Sequence, residues 1–208
     1  MNNFILVDNP LVKRDVTILR NKDTDSAAFR AALNRVSYAL AIEIAKIFEV
    51  IEIEVQTPLE LAKGFRLKKQ VVLVPVLRAG LSMVDAFLKM IPEAKVGHIG
   101  LQRDEKTLQP IDYYYKTPGN LDKSVTIVLD PMLATGGSAV ASFNSLKAKG
   151  AGKCVLACLI AAPEGIHKME IEHPEIPIFS ASLDRQLNEV GYILPGLGDA
   201  GDRTFGTF

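Results

Sequence analysis

The residues best suited to chemistry lie in the segment VLDPMLATGGSAVASF, residues 128–143. An apolar strand ends there at Asp130, and small or flexible residues follow before a helical pattern begins. Short side chains from Ala134 to Ser138 leave successive backbone N–H groups free to bind an anion, with the positive end of the next helix behind them. The hydroxyls of Thr135 and Ser138 add donors. The segment therefore predicts a phosphate site, and a plain helix-capping turn is the alternative.

Two strand ends carry charged residues of opposite sign. The carboxylate of Asp130 suits sugar hydroxyls better than a phosphate, because a carboxylate only accepts hydrogen bonds. The segment VPVLRAGL ends a second apolar strand at Arg78, and Ala79 and Gly80 there allow a close backbone approach. Arg78 is either a bidentate partner for a second phosphate or a surface ion-pair residue. Since no lysine follows the glycines of the first segment, it is not a Walker A loop.

Two later segments add candidate binding residues. The segment GLQRDEKT places Arg103 at the start of a polar loop, where it is either solvated or closes over a polyanion. The tail contains GLGDAG, which matches the dinucleotide pattern in letters only, because that turn must open a helix inside a βαβ unit. Gly196, Gly198 and Gly201 instead predict exposed backbone groups for the edge of a flat polar ring. Ile193 is the predicted apolar contact for that ring.

The elements that must position these residues follow from hydrophobic periodicity. The apolar runs QVVLVPVL, KVGHIGLQ, SVTIVLD and KCVLACLIAA alternate with helical patterns, which predicts an α/β fold with a mostly parallel sheet flanked by helices. Ligands of such sheets bind beyond the carboxyl ends of the strands, where Arg78 and Asp130 fall. RDEKTLQPIDYYYKTP predicts a protruding β-hairpin, and VIEIEVQTP a half-exposed strand of a hairpin or sheet edge. The glycine-rich tail is predicted to contain no helix.

Length and composition limit the classes of protein. The 208 residues, 48% hydrophobic and 23% charged, predict a single folded domain over residues 1–208. Lys plus Arg and Asp plus Glu both number 24, so no global field favours nucleic acid or an anionic membrane. No apolar run approaches the ~18 residues of a spanning helix and no leader pattern is present, which predicts a cytoplasmic protein.

The cysteines and histidines offer little chemistry. Cys154 and Cys158 share one face of an apolar strand and are predicted to be buried and structural. His167 and His173 are predicted on a helix surface. The sequence contains no recognisable nucleophile, base and orienter constellation, and no metal-ligand spacing.

Taken together, these segments resemble the uracil phosphoribosyltransferases of the type I phosphoribosyltransferase family. VLDPMLATGGS is similar to that family's phosphoribosyl diphosphate loop, and VPVLRAGL, RDEKTLQP and GYILPGLGDAGDRTFGT match its other motifs in order and spacing. The likeness runs from NPLV near the start to the last residues. A proline directly after the strand-end aspartate, here Pro131 after Asp130, is typical of the uracil branch. Many other phosphoribosyltransferases carry two adjacent acidic residues at this strand end. Arg185, just before the tail motif, departs from the pattern.

The resemblance implies a phosphoribosyltransferase-like fold with a C-terminal hood that binds the base. It implies transfer of the phosphoribosyl group from 5-phospho-α-D-ribose 1-diphosphate to uracil, giving UMP and diphosphate, a pyrimidine salvage reaction. The implied catalytic residues are Arg78, Arg103 and Asp199. The implied donor-binding residues are Arg78, Arg103, Asp130, Pro131, Met132, Leu133, Ala134, Thr135, Gly136, Gly137, Ser138 and Asp199. The implied uracil-binding residues are Ile193, Gly198, Asp199 and Ala200.

The resemblance also implies a cofactor and partners. Mg²⁺ is expected to be held mainly by diphosphate, ribose and water, with no direct side-chain ligand. A homo-oligomer, dimer or tetramer, is implied, and a GTP effector is known for some members; no nucleic acid or membrane partner is expected. Two alternatives stay open: a non-catalytic regulator that senses the nucleotide while binding nucleic acid, and the same chemistry on another base.

Overall fold

The structure is a computed structural model that describes residues 3–103 and 110–207. Within these ranges, side chains are described except at residues 101–103 and 110–113. The strands are β1 (Phe4–Leu6), β2 (Val50–Gln56), β3 (Leu61–Leu67), β4 (Gln70–Leu77), β5 (Lys95–Val96), β6 (His98–Arg103), β7 (Pro110–Lys116), β8 (Ser124–Leu129), β9 (Met132–Leu133), β10 (Lys153–Ala161), β11 (Ile178–Leu183), β12 (Gln186–Leu187) and β13 (Ile193–Leu194). The helices are α1 (Pro10–Arg20), α2 (Ser26–Ala45), α3 (Leu81–Met90), α4 (Gly137–Ala148), α5 (Pro163–Glu172) and α6 (Ala200–Phe205).

The central sheet has the strand order β1-β11-β10-β8-β4-β6-β7, with β5 beside β4 and β9 beside β10. Neighbours along this order are parallel except for β6 and β7, which are antiparallel. The predicted α/β fold with a mostly parallel sheet is therefore confirmed. In the register of β4 and β8, Pro75 lies opposite Leu129, so the segments after these two strands leave the sheet side by side.

Both faces of the sheet are covered, which explains why the strands lack hydrophobic alternation. Val71 and Leu73 of β4 pack in the apolar cluster that includes α1, α2 and α3. Val72 and Val74, which point to the opposite face, pack with α4 and α5. Among the described residues, none of the helices has the length and apolarity needed to cross a membrane.

Antiparallel strand pairs occur where the sequence predicted them. β2 and β3 form a separate two-stranded sheet, which confirms the hairpin interpretation of VIEIEVQTP. Leu59, Leu61 and Phe65 of this hairpin are exposed. β6 and β7 pair across the predicted second hairpin, with a register shift between Gly100 and Leu101. Residues 104–109, between these two strands, lie outside the described part of the chain.

Two expectations about the second half of the chain are wrong. The tail does contain a helix, α6, because the Asp199 side chain accepts the Asp202 N–H at 2.9 Å as its N-cap, and Gly206 ends it at a φ of 70°. These two caps stabilise the short helix although the segment is rich in glycine. His173 is buried at the end of α5, with its ring edge-on to Phe143, and not on the surface.

The two cysteines lie in β10 and are free and buried, as predicted. Burial raises the pKa of the Cys154 thiol to about 11 and that of Cys158 to about 12. Because the thiolate is the reactive form, neither side chain is a nucleophile at neutral pH.

Candidate functional site

A cleft of about 400 Å³ opens beyond the carboxyl ends of β4 and β8. Asp130, Ala134 and Ser138 line one side of it. The tail supplies the other side, including Ile193 and residues 198–201. Segments that are about 60 residues apart in the chain thus meet at the sheet edge, as a parallel α/β sheet predicts.

The loop from Asp130 to Ser138, the donor loop, is held to the sheet at its start and opens a helix at its end. Pro131 O accepts the N–H groups of Leu159 and Ile160 at 2.9 and 3.2 Å. β9, formed by Met132 and Leu133, then pairs with β10. Pro131 and Leu133 are buried, so among the implied donor residues these two support the loop, whereas Met132 lines the cleft.

The second half of the donor loop has the geometry of an anion site. Gly136 has a φ of 77°, and a Cβ there would lie 3.0 Å from Gly165 O of α5, so only glycine fits without strain. α4 begins at the next residue, and its first N–H groups lack helical partners. Thr135 and Ser138 are exposed, and Thr135 Oγ1 lies 3.4 Å from the Gly137 nitrogen. The loop therefore presents amides and hydroxyls to an anion.

Asp130 lies at the floor of the cleft, directly after β8. Its N–H donates to Ala157 O at 3.1 Å, and its carboxylate accepts the Met132 N–H at 3.4 Å. Burial raises the pKa of the Asp130 carboxyl to about 7, although the Met132 N–H favours the ionised form. A ligand that donates hydroxyl hydrogens would pull this carboxyl back to its ionised state.

The raised pKa makes stability depend on pH. From about pH 4 to pH 7 the folded protein keeps a proton on Asp130 that the unfolded chain has lost, so the free energy of unfolding falls as pH rises. Asp130→Asn lacks this titration. We expect the stability advantage of Asp130→Asn over the wild type to widen by about 1–3 kcal/mol between about pH 5 and pH 8. Urea unfolding followed by circular dichroism measures it, and an equal difference at both pH values would contradict the prediction.

The turn after β4 reaches the rim of the cleft. Arg78 is exposed, and its Nη2 lies 3.4 Å from Asp202 Oδ1 on α6. Ala79 lines the cleft, whereas Arg78 is absent from the lining and has an exposed side chain. Arg103 ends β6, and its side chain falls outside the described residues, so its predicted role stays a prediction.

Gly80 fixes the approach of this turn to β8. A Cβ on Gly80 would lie 2.2 Å from Leu129 O, the backbone carbonyl oxygen of the last residue of β8. We expect Gly80→Ala to lower the free energy of unfolding by at least about 2 kcal/mol, because rigid backbone must move. Gly119→Ala, where a Cβ meets nothing within 4 Å, is the matched control and should change stability by less than about 0.5 kcal/mol. Equal urea midpoints for the two variants would refute this account.

Residues 194–200, which we call the base loop, supply Gly198, Asp199 and Ala200 to the far wall. Ile193 and Ala200 are buried and Gly198 is exposed with a φ of 81°. Asp199 lines the cleft while its carboxylate also caps α6. Gly201 also lines the cleft, but it is buried in the first turn of α6, so the prediction that its backbone groups are exposed is wrong.

Gly196 corrects the sequence interpretation, since its polar groups face the protein. Its N–H donates to Asp184 Oδ2 at 2.8 Å, and its carbonyl oxygen accepts from Arg20 Nη1 at 2.8 Å. A Cβ there would lie 2.2 Å from Ile193 O. Gly196 is therefore needed for the bend of the loop, and not for contact with a ring.

Sequence reasoning missed the residues behind the base loop. It singled out Arg185, which is exposed and pairs only its backbone N–H with Leu194 O at 3.0 Å. The neighbouring Asp184 is buried and bonded to the loop. A charged residue directly after the buried strand β11 was the available signal.

Another cavity, of about 610 Å³, lies between α1 and α2. Its lining includes Arg14, Asp15 and Arg35 but none of the predicted site residues. Although it is larger, we place the functional site in the cleft, where the donor loop and the base loop meet. Within the described ranges, no group of three or more His, Cys, Asp or Glu side chains could hold a metal ion.

Comparison with known proteins agrees with this geometry. The sequence profile described as Uracil phosphoribosyltransferase matches residues 6–207. The chain belongs to the uracil phosphoribosyltransferase family. A uracil phosphoribosyltransferase of Bacillus cytotoxicus is 50% identical over 208 residues, covering 100% of both chains. One from Dictyoglomus thermophilum is 52% identical over 204 residues, covering 98% of this chain and 99% of the relative.

Solved structures extend the likeness to the fold. A protein of Aquifex aeolicus matches with a TM-score of 0.92 and 36% identity, covering 98% of each chain. An adenine phosphoribosyl transferase of Trypanosoma brucei, solved with AMP, pyrophosphate and ribose-5-phosphate, has a TM-score of 0.57 and 12% identity. It covers 88% of this chain and 84% of its own, and shows the shared fold alone. The uracil phosphoribosyltransferase family thus shares its architecture with enzymes that act on other bases.

Proposed function

We propose that this protein transfers the phosphoribosyl group of 5-phospho-α-D-ribose 1-diphosphate to uracil, giving UMP and diphosphate. The observation that carries the proposal is a single cleft walled by the donor loop on one side and the base loop on the other. Family membership over residues 6–207 supports the same reaction. Both substrates can therefore meet at one sheet edge, which a transfer between them requires.

In this proposal the two loops divide the substrates. The amides and hydroxyls of residues 134–138 hold the 5′-phosphate at the start of α4. Asp130 accepts the ribose hydroxyls. Arg78 and Arg103 meet the diphosphate, and Arg78 exchanges Asp202 for it. Backbone groups at Ile193, Gly198 and Ala200 read the edge of uracil.

The chemistry suits these residues. Cleavage of the C1–diphosphate bond builds positive charge on the ribose ring, as in the oxocarbenium-like state of glycoside cleavage. The protein must therefore neutralise the leaving group and align the uracil nitrogen, for which no side-chain nucleophile is needed. The carboxylate of Asp130, once ionised by its ribose partners, would stabilise the developing positive charge.

We propose that the reaction depends on Mg²⁺. The cleft fits it because the carboxylates of Asp130 and Asp199 both line the cavity and Mg²⁺ prefers oxygen ligands while keeping several waters. When bound, Mg²⁺ would neutralise charge on the diphosphate. Asp130 and Asp199 would hold it through ribose hydroxyls and water.

A direct assay tests the function. Radiolabelled uracil with the donor and Mg²⁺ should give labelled UMP, and chelation should stop the reaction. Folded protein that makes no UMP at neutral pH would contradict the proposal. Competition by unlabelled cytosine, xanthine and guanine identifies the base, and salt-dependent RNA binding without turnover would instead favour a regulator.

We propose a homo-oligomer, supported by the exposed Leu59, Leu61 and Phe65 on the β2–β3 hairpin; sedimentation velocity tests it.

A single domain is supported by the central sheet, because strands from both ends of the chain, β1 and β11, pair side by side in it. Free, buried Cys154 and Cys158 are compatible with the cytoplasm. A GTP response rests on the family resemblance, and turnover with and without GTP tests it.

A further inference from the structure

The base loop is attached to the rest of the protein through a buried ion pair. Arg20, the last residue of α1, donates from Nη1 to Asp184 Oδ2 at 2.8 Å and from Nη2 to Asp184 Oδ1 at 2.5 Å. Ser182 Oγ donates to the same carboxylate at 3.0 Å. Burial opposes ionisation of Asp184, but the hydrogen bonds from Arg20, Gly196 and Ser182 outweigh it and lower its pKa.

This pair holds both polar groups of one residue of the base loop. The Gly196 N–H binds the carboxylate of Asp184, and the Gly196 carbonyl binds the guanidinium of Arg20, both at 2.8 Å. Gly196 has a φ of 65° and, as a glycine, lacks a side chain whose packing could hold this bend. The conformation of the loop at this point therefore depends on two side chains from other elements.

A second arginine holds the next peptide. Arg203 of α6 is 9% exposed, and its Nη1 donates to Leu197 O at 2.8 Å and also to Leu19 O. Its Nη2 donates to Asn21 O at 2.6 Å, and its guanidinium stacks 4.5 Å from the Phe29 ring centroid. Backbone carbonyls of α1 and of the base loop thus converge on one buried cation.

The bond to Leu197 O orients the residue that faces the cleft. The C=O and N–H of a trans peptide point in opposite directions. Because Arg203 binds Leu197 O from the protein interior, the N–H of Gly198 in the same peptide is directed away from that interior. Gly198 lines the cleft at a φ of 81°, where its own backbone imposes little preference.

We propose that Arg20, Asp184 and Arg203 are positioning residues that set the affinity for uracil without touching it. None of the three lines the cleft. A loop that is only fractionally in its binding-competent conformation weakens apparent binding by that fraction, while the bound state stays the same. Weakening the contacts of these three residues with the base loop should therefore raise KM for uracil and leave kcat nearly unchanged. This inference rests on the proposed function.

The chain provides a matched pair of variants. Arg20→Lys keeps the charge but cannot hold Asp184 and Gly196 O together in the planar geometry of arginine. Arg35→Lys makes the same change at Asp15, which Arg35 holds from Nε at 2.9 Å and from Nη2 at 2.8 Å, outside the cleft. Asp15 is buried in α1, as Asp184 is buried beside β11. The control therefore weakens an arginine–aspartate pair between α1 and α2, in which Arg14 Nη2 also donates to Asp15 at 3.1 Å.

Steady-state kinetics with each substrate varied in turn tests the proposal. We expect Arg20→Lys to raise KM for uracil about tenfold or more, with kcat and KM for the donor within about twofold. Arg35→Lys should change neither KM by more than about twofold at a similar fall in melting temperature. Equal rises in both KM values, no rise, or the same uracil effect in Arg35→Lys would overturn the proposal.

A milder variant covers the case in which Arg20→Lys does not fold. Ser182→Ala removes the hydrogen bond that Ser182 Oγ donates to Asp184 and the one that it accepts from Arg20 Nη2 at 2.9 Å. It should raise KM for uracil about threefold, again without an effect on KM for the donor. An unchanged KM for uracil in Ser182→Ala would overturn the proposal. A wild-type protein that makes no UMP would overturn the proposed function, and this inference with it. Turnover by the wild type and by Arg35→Lys with unaltered kinetics in Arg20→Lys would overturn the inference alone.

Discussion

Asp130→Asn is expected to lower kcat/KM for the donor by at least about a hundredfold while KM for uracil changes by less than about threefold. Only the donor carries ribose hydroxyls, so only its binding and its charged transition state lose the carboxylate. An amide at this position keeps one acceptor oxygen in place of two and carries no negative charge toward the developing positive ribose. Initial rates with each substrate varied at saturation of the other measure the two effects separately.

The controls for this variant separate chemistry from folding. Asp85→Asn removes an exposed carboxylate on α3, paired with Lys89, and should leave both kinetic constants unchanged. Because Asp130→Asn is expected to be more stable than the wild type at high pH, its loss of activity cannot be assigned to unfolding. Equal losses for donor and uracil would contradict the role of Asp130 as a ribose ligand.

Gly198→Val is expected to lower kcat/KM for uracil by at least about a hundredfold, with the donor still bound. The cause is the backbone, because a Cβ at Gly198 meets only Arg203 Cδ at 3.5 Å, an ordinary contact. A φ of 81° is strained for a β-branched residue by about 1–2 kcal/mol, and the loop is expected to rotate out of position to relieve it.

Gly150→Val is the matched control for this strain. Gly150 has a φ of 82°, follows α4, and has nothing within 4 Å of its ideal Cβ. It should show the same loss of melting temperature as Gly198→Val with unaltered kinetics. If the uracil kinetics of Gly198→Val stay at the wild-type level, the base loop does not form the uracil site.

The sequence predicted those parts of the site that depend on local pattern. Apolar runs that end at Arg78 and at Asp130 were enough to place both residues at one sheet edge, because parallel strands end together. The small residues before α4 were enough to predict the tight turn that opens this helix, and anion binding there stays a prediction. Helix α1 was not predicted, although Asn9 and Pro10 form a recognisable start, with Asn9 accepting the Leu11 N–H at 2.8 Å.

The side-chain contacts that hold the base loop could not be predicted from the sequence alone. Arg20 and Asp184 are 164 residues apart, and Arg203 and Leu19 are 184 apart. Neither periodicity nor a motif says which distant charge meets which carbonyl, because that depends on how helices pack on the sheet. For the same reason Gly196 was assigned to the ligand, although its groups are taken by Arg20 and Asp184.

The two walls of the cleft have separate supports. The donor loop is built on β8, β9 and β10, whereas the base loop depends on side chains from α1 and α6. Changes at Arg20, Asp184 or Arg203 would therefore alter one wall of the cleft while the other wall keeps its hydrogen bonds to β10.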